Sequence, residues 1–309
     1  TDIREVGMFK KEDWEMLKFY AVSPVHAGSG MSTGAVDLPI QRERHTNWPH
    51  IQASGVKGAL RAHFRDFLTE EEKYSDENIN KVEDIIFGTE GYTTLTGNDE
   101  SSKNPCPAAI SVSDAKLFAF PVRSDKAPFV WVTCPAVLER LDRDLKMMKQ
   151  EGITGIDDCR NIKDSNALCL SGDMQGSVLL EDAVVDVVSA AAVIDYINEN
   201  FKELERLLLI SDAMYDYCVS TCTEVQTQIK IDEKTGTAET GGLRYEELLP
   251  ADTLLYSVIG FGRGGLDNHL QAETVRDKLK DVVKDFMQIG GDATLGRGMC
   301  RIEWIGGGE

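Results

Sequence analysis

The sequence predicts an α+β fold carrying insertions. Runs with strand-like alternation and runs with helical periodicity follow one another loosely, and a hairpin stands out in the later half. At 309 residues the chain is long enough for one large domain or two small ones. Hydrophobic residues make up 42% and charged residues 28%, the balance of an ordinary soluble protein. No apolar run approaches the ~18–20 residues that cross a bilayer, and the start, Thr1-Asp2-Ile3-Arg4, lacks a signal-peptide pattern. The expectation is therefore a cytoplasmic protein with no membrane partner. Seven cysteines lie scattered with no CxxC pair, and Cys218 and Cys222 stand four apart with no further ligand nearby. They read as reduced intracellular thiols rather than a zinc site.

Residues 17–22 alternate as a first strand that Pro24 ends. A loop rich in Gly, Ser and Thr runs from His26 to Gly34 and leads to Asp37. Ser54 is placed to cap a helix over residues 54–68, with Val56, Leu60, Phe64 and Phe67 on one face and Lys57, Arg61 and Arg65 opposite. Residues 69–107 are acidic, polar and turn-rich, which suggests an insertion rather than core. Residues 110–114, 117–122 and 129–133 read as strands, and a charged helix is expected near 138–150. The signal is mixed over 136–185, and 190–219 looks helical. Residues 224–232 alternate clearly, turn through 233–238, and return through 241–247. Residues 253–260 form another strand. An amphipathic helix is expected over 272–287, followed by the glycine-rich loop 290–298 and a last strand over 299–305.

The net charge of −19 argues against a generic nucleic-acid binder. Charge is not evenly spread, however. Between Gln41 and Arg65 five Lys/Arg (42, 44, 57, 61, 65) face one acid, Glu43, a local balance of +4, and His45, His50 and His63 lie in the same stretch. Electrostatics act over roughly a Debye length, ~8–10 Å, so a basic groove can coexist with a distant acidic surface. Three glycine-rich loops (28–34, 262–265 and 290–298) could bring backbone N–H groups to a phosphate, though none has P-loop spacing and tight turns are the commoner reason for such glycines. The third also carries Arg297 between glycines. Asp37 has two readings, a turn residue ahead of Pro39 or a carboxylate held as a base or metal ligand, with His26 and His45 able to flank it. Lys57, Arg61 and Arg65 are equally consistent with a phosphate track and a solvated helix face.

Several runs together carry a resemblance. His26-Ala27-Gly28-Ser29-Gly30, then Val36-Asp37-Leu38-Pro39-Ile40-Gln41-Arg42-Glu43-Arg44-His45-Thr46, then Pro49-His50-Ile51, and Ser54-Gly55-Val56-Lys57-Gly58-Ala59-Leu60-Arg61 resemble the RAMP superfamily. More closely they resemble the backbone subunit of the Cmr (type III-B) CRISPR effector complex. Gly290-Gly291-Asp292-Ala293-Thr294-Leu295-Gly296-Arg297-Gly298 resembles the glycine-rich loop of the same superfamily.

The resemblance, which spans residues 16–305 in order, implies an RRM-like (ferredoxin-like) palm with helical insertions and a β-hairpin thumb. It divides the chain into an extension (1–15), a first part of the palm with the catalytic loop and basic helix (16–68), an insertion (69–107), palm and helical insertions (108–220), a thumb region (221–260) and a C-terminal palm with the glycine-rich loop (261–309). Copies would stack in a helical filament on a CRISPR RNA, beside other CRISPR effector subunits, and cut complementary target RNA at regular intervals. The implied chemistry is metal-dependent attack by a ribose 2′-OH. Asp37 would be general base or metal ligand, His26 an assisting acid or phosphate contact, and Glu246 or Glu247 a second carboxylate; the metal is a divalent ion, Mg or Mn. The family places an aromatic shortly after that acid, whereas here Leu248 follows and Tyr245 precedes. Arg42, Arg44, Ser54, Lys57, Arg61, Gly290, Gly291 and Arg297 are the implied RNA contacts. A binding scaffold of the same architecture without cleavage is the alternative expectation.

Overall fold

A computed structural model describes residues 13–70, 76–89, 106–188, 195–264 and 270–306. Along the chain come β1 (Asp13–Ala21), β2 (His50–Ile51), α1 (Ala53–Glu70), α2 (Asp76–Phe87), β3 (Ile110–Val112), β4 (Ala115–Arg123), β5 (Phe129–Thr133), α3 (Pro135–Met147) and α4 (Ile156–Cys159). They are followed by β6 (Asn166–Cys169), β7 (Gly176–Leu180), β8 (Ala183–Val188), α5 (Asp195–Asn200), β9 (Leu207–Leu209) and α6 (Asp212–Thr221). The last elements are β10 (Glu224–Ile231), β11 (Ala238–Leu248), β12 (Leu254–Phe261), α7 (Ala272–Val282), β13 (Asp285–Gln288) and β14 (Met299–Ile305).

Strand β12 is buried at every residue, as its unbroken apolar run LLYSVIGF requires of a strand covered on both faces. It pairs antiparallel with β1 and β4, and β1 pairs antiparallel with β14. The sheet continues in the order β13-β14-β1-β12-β4-β5-β9-β6-β8-β7, with β5–β9 and β6–β8 parallel. Strands β10 and β11 stand apart as a two-stranded sheet. Helix α1 buries Val56, Leu60 and Phe64, while α7 buries Val275, Leu279 and Val282. The two helices meet where the His63 ring nitrogen contacts the Val282 carbonyl at 3.2 Å.

The sequence expectation fails in several places, each for a physical reason. The stretch 190–219 is not one helical segment: three fully buried leucines form β9 on β5, and a short apolar run reads alike as helix or strand. The last helix ends at Val282 rather than 287. Two β-branched residues disfavour its continuation, Asp285 takes a left-handed φ of 59°, and Phe286 and Met287 enter β13. The glycine-rich loop therefore joins two antiparallel strands and does not follow a helix. Ser54 is not the cap of α1, which starts one residue earlier; the Ala53 N–H donates to Asp114 Oδ1 at 2.7 Å, a partner distant in sequence. The expected non-core stretch 69–107 contributes Ile86 and Phe87 to the core, Phe87 against Phe64 with centroids 5.7 Å apart. Strands β6 to β8 arise from the stretch whose signal was mixed, and Pro135 at the first turn sets α3 earlier than 138.

The cationic side of α1 faces protein. Glu83 on α2 accepts from Arg61 Nε at 2.5 Å and from Arg65 Nε at 2.8 Å, and Arg61 Nη2 also donates to the Gly88 carbonyl at 2.8 Å. Burial opposes ionisation of Glu83, but the hydrogen bonds from Arg65 and Arg61 and their charges outweigh it and hold the carboxyl below 4.5. In the sheet, buried Lys18 donates to Asn200 O (2.7 Å) and Glu203 (2.9 Å) and pairs with Glu303 (2.7 Å).

Replacing Lys18 by Met strands the largely covered Glu203 carboxylate, 14% exposed, and should cost roughly 3–5 kcal/mol in denaturant unfolding. Glu83 supplies the pH signature. Its folded value lies below its unfolded one, so its contribution is present above about 4.5 and lost as pH falls through the folded value. Acid unfolding monitored by circular dichroism should therefore lose part of its pH dependence below 4.5 in Glu83→Gln.

Candidate active site

The segment between β1 and β2 is tied to the base of the isolated hairpin, and Asp37 sits at the junction. Its N–H and that of Leu38 donate to the Tyr245 carbonyl at 3.1 and 3.0 Å, and Glu247 N–H donates to Leu38 O at 3.0 Å. Leu38 thus forms a parallel bridge with Glu246. The Asp37 carboxylate is held as well: Oδ2 accepts from the Tyr245 N–H at 2.8 Å, while Oδ1 has no hydrogen bond among the described residues. A backbone donor anchors one oxygen and leaves the other unbonded among the described residues.

Side chains alternate along β11, so Glu246 and Glu247 serve different places. Glu246, 3% exposed, accepts from Gln228 and Arg297 through Oε2, and its Oε1 lies 3.6 Å from His26 Nε2. Nδ1 of His26 is 2.9 Å from the Glu247 carbonyl oxygen, so the proton of that contact belongs to Nδ1 and Nε2 faces the Glu246 carboxylate. Arg297 bridges further, to Asp292 at 3.2 Å and Gln226 at 2.8 Å. Glu247 instead takes Arg42 Nη2 at 2.6 Å, the Thr223 hydroxyl at 2.9 Å and the Ile40 N–H at 3.1 Å.

The glycines permit this packing. At Gly290, φ is 89° and a Cβ would meet the His26 carbonyl oxygen at 2.5 Å, the same oxygen that accepts from Gly291 N–H at 2.8 Å. A Cβ at Gly28 would come within 2.7 Å of His26 Nε2. Both loops therefore close around His26, and the main chain of the third loop is engaged by protein at Gly291 and at Gly298, whose N–H reaches Pro24 O at 2.9 Å.

Of the five cations in the basic stretch, three are spent inside the chain: Arg61 and Arg65 on Glu83, and Arg42 on Glu247, Asn47 O (2.9 Å) and Val219 O (3.1 Å). Arg44 is exposed and Lys57 half-buried, and neither has an ion pair among the described residues. Burial, then the charge of Arg61, lowers the Lys57 pKa. Ser54 lies exposed in the first turn of α1 beside Gly55. His45 is exposed and 3.7 Å from Glu43, which is itself bound by Arg140 through bonds of 2.6 and 3.0 Å. It takes no part in the Asp37 junction.

Sequence reasoning missed Gln226, Gln228, Thr223 and Asp292 as supports of these carboxylates. The period-two pattern of β10 was visible, but its register, Gln226 opposite Glu246 and Gln228 opposite Arg244, follows only from the hairpin geometry. Among the described residues no group of three or more His, Cys, Asp and Glu could hold a metal ion. The described residues offer no ready cage, but the remaining Asp37 oxygen suits a single carboxylate contact to a hydrated divalent ion, the mode Mg²⁺ uses alongside substrate phosphates. No helix among the described residues is long and apolar enough to cross a membrane.

Comparison with known proteins places the chain in a family. Residues 18–301 match the RAMP superfamily. The CRISPR system Cmr endoribonuclease Cmr4 of Pyrococcus furiosus is 34% identical over 93% of this chain and 94% of that protein. The CRISPR system CMR subunit Cmr4 of Saccharolobus solfataricus is 28% identical over 92% and 94%. Among solved structures, oligomeric Cmr4 from P. furiosus superposes with a TM-score of 0.68 at 26% identity, covering 94% of this chain and 97% of that one. A chain of the type III-B Cmr-beta complex in its apo state gives a TM-score of 0.72 at 23% identity, over 95% and 97%, a likeness of fold. On the sequence match across nearly its whole described length, the chain belongs to the RAMP superfamily and, within it, to the Cmr4 subunits of CRISPR systems.

Proposed function

We propose that the chain is a CRISPR RNA-binding filament subunit, working in the cytoplasm, that cuts guide-complementary target RNA at regular intervals. The observation that carries this reading is the Asp37 carboxylate, anchored through one oxygen by the Tyr245 N–H at the base of a projecting hairpin. The P. furiosus relative bears the name endoribonuclease. One structural neighbour is a Cmr-beta complex bound to cognate target RNA, and another is an oligomeric Cmr4. Both are in keeping with a chain that works on RNA and in several copies, beside other subunits of the complex.

The palm is RRM-like in this reading. The antiparallel order β14-β1-β12-β4, with α1 lying between β1 and β4 in sequence and α7 between β12 and β14, supports it. The hairpin β10–β11 is the thumb. Its one face carries Val225, Ile229, Ile231, Leu243 and Tyr245, all exposed, so an apolar wedge is available where aromatic stacking platforms are scarce. Arg44, Lys57 and Ser54 are the free groups for guide phosphates, and Gly290 and Gly291 with Arg297 shape the loop beside His26. The acidic surface elsewhere is no obstacle, because each subunit needs only a local basic track.

The chemistry is transfer of the target phosphate to the neighbouring 2′-oxygen. The 2′-O–P bond forms as the P–O5′ bond breaks, giving a 2′,3′-cyclic phosphate and a 5′-hydroxyl. Asp37 accepts the 2′-OH proton at Oδ1, and His26 delivers a proton to the leaving 5′-oxygen from Nε2, with the Glu246 carboxylate 3.6 Å from that same nitrogen to stabilise the charged ring. RNA supplies its own nucleophile, so the protein's task is to splay the backbone into line and place base and acid. A divalent ion, Mg or Mn, would supply charge neutralisation at the phosphate when bound beside Asp37.

In the assembled complex, Asp37→Asn keeps an acceptor for the Tyr245 N–H but removes the base. Cleavage of a matched labelled RNA should fall by at least ~10²-fold at every site, with target binding nearly unchanged. Normal cutting by Asp37→Asn and Asp37→Ala would mean that Asp37 is not the base and would remove this mechanism. EDTA should stop cleavage without releasing the target, and cutting that persists in EDTA would remove the metal from the scheme.

A further inference from the structure

We infer that Arg42 and Glu247 form a positioning pair that fixes the Asp37 segment, and that they are neither an RNA ligand nor a group acting on the reacting atoms. The inference rests on the cleavage reading above and specifies how that site is held. Backbone bonds fasten the segment to β11 at Asp37 and Leu38, but Pro39 has no N–H and the ladder stops there. The Glu247 side chain takes over: Oε2 accepts the Ile40 N–H at 3.1 Å, and Oε1 accepts from Arg42 at 2.6 Å. The same Oε1 takes the Thr223 hydroxyl at 2.9 Å, and Arg42 Nη1 donates to the Val219 carbonyl at 3.1 Å. One carboxylate and one guanidinium thus join three pieces: the Asp37 segment, the end of α6 and the start of the hairpin.

Two further observations favour positioning over direct action. Glu247 is 9% exposed with both oxygens occupied, and it leaves β11 on the side opposite Glu246 and His26. Arg42 commits three N–H donors to Asn47 O, Val219 O and Glu247 and its side chain is only 16% exposed, so most of its hydrogen-bonding capacity already serves the junction that holds Asp37. A carboxylate displaced by about 1 Å from its reacting proton can cost on the order of 10²-fold in rate, so rigidity here should be read out in the chemical step.

The test uses the assembled complex with its guide RNA, measuring single-turnover cleavage at saturating target, target affinity at two salt concentrations, and hydrogen exchange over residues 38–42. Arg42→Met and Glu247→Gln should each slow cleavage by about tenfold or more, with the double variant no slower than the slower single one. Target affinity and its salt dependence should match the parent, and residues 38–42 should exchange faster in both variants. If Glu247→Gln does not assemble, Thr223→Val removes one bond of the same network and should give a smaller effect of the same kind. A weaker affinity with a shallower salt slope in Arg42→Met would make Arg42 an RNA ligand and overturn the proposal. Multiplying rate losses, or a Glu247→Gln rate at the Asp37→Ala floor with Arg42→Met near the parent, would make Glu247 a reacting group and overturn it equally. A parent complex that does not cut would defeat the cleavage reading, while the exchange data would still decide whether the pair holds the segment.

Discussion

Everything at the candidate site depends on the alternation of strand β11 at Tyr245, Glu246 and Glu247. The backbone of Tyr245 holds Asp37, the side chain of Glu246 faces His26 and Arg297, and the side chain of Glu247 faces Arg42 and Thr223. Because successive side chains leave a strand on opposite sides, two adjacent carboxylates can serve two different tasks without repelling each other across one pocket. A register slip of one residue would exchange them and unfasten the Asp37 segment. The hairpin register is therefore the constraint from which the site follows.

Charge is distributed by the same logic. Carboxylates out of water need partners, and four of them here take a guanidinium: Glu246 with Arg297, Glu247 with Arg42, Glu83 with Arg61 and Arg65, Glu43 with Arg140. Much of the basic stretch that offsets the −19 charge in sequence is thus consumed by folding. What remains for a polyanion is a small set of groups, Arg44, Lys57 and the exposed first turn of α1, rather than a broad basic face.

The local elements were legible where the pattern was strong. The hairpin, β5, β14 and the apolar face of α1 could be read from period and turn residues, and the RAMP resemblance from the run around Asp37. Long-range partners could not. Nothing in Ser54 indicates that Asp114 caps α1, nothing in Arg61 points to Glu83, and three leucines at 207–209 do not announce a strand between helices. Asp37, His26 and Glu246, named from the sequence, meet at one hairpin base, while the separate surroundings of Glu246 and Glu247 follow only from the strand's two faces. The glycines were read as possible phosphate cradles, whereas at Gly28 and Gly290 the close neighbour is His26.

The most direct test of the account is a target RNA carrying a single 2′-deoxy nucleotide at one of the regular cut positions, presented to the assembled complex. If the ribose supplies the nucleophile and Asp37 takes its proton, cutting should vanish at that position, persist at the others, and leave cyclic phosphate ends. Cleavage at the deoxy position, or ends bearing a 5′-phosphate, would mean that water attacks and would contradict the role given to Asp37.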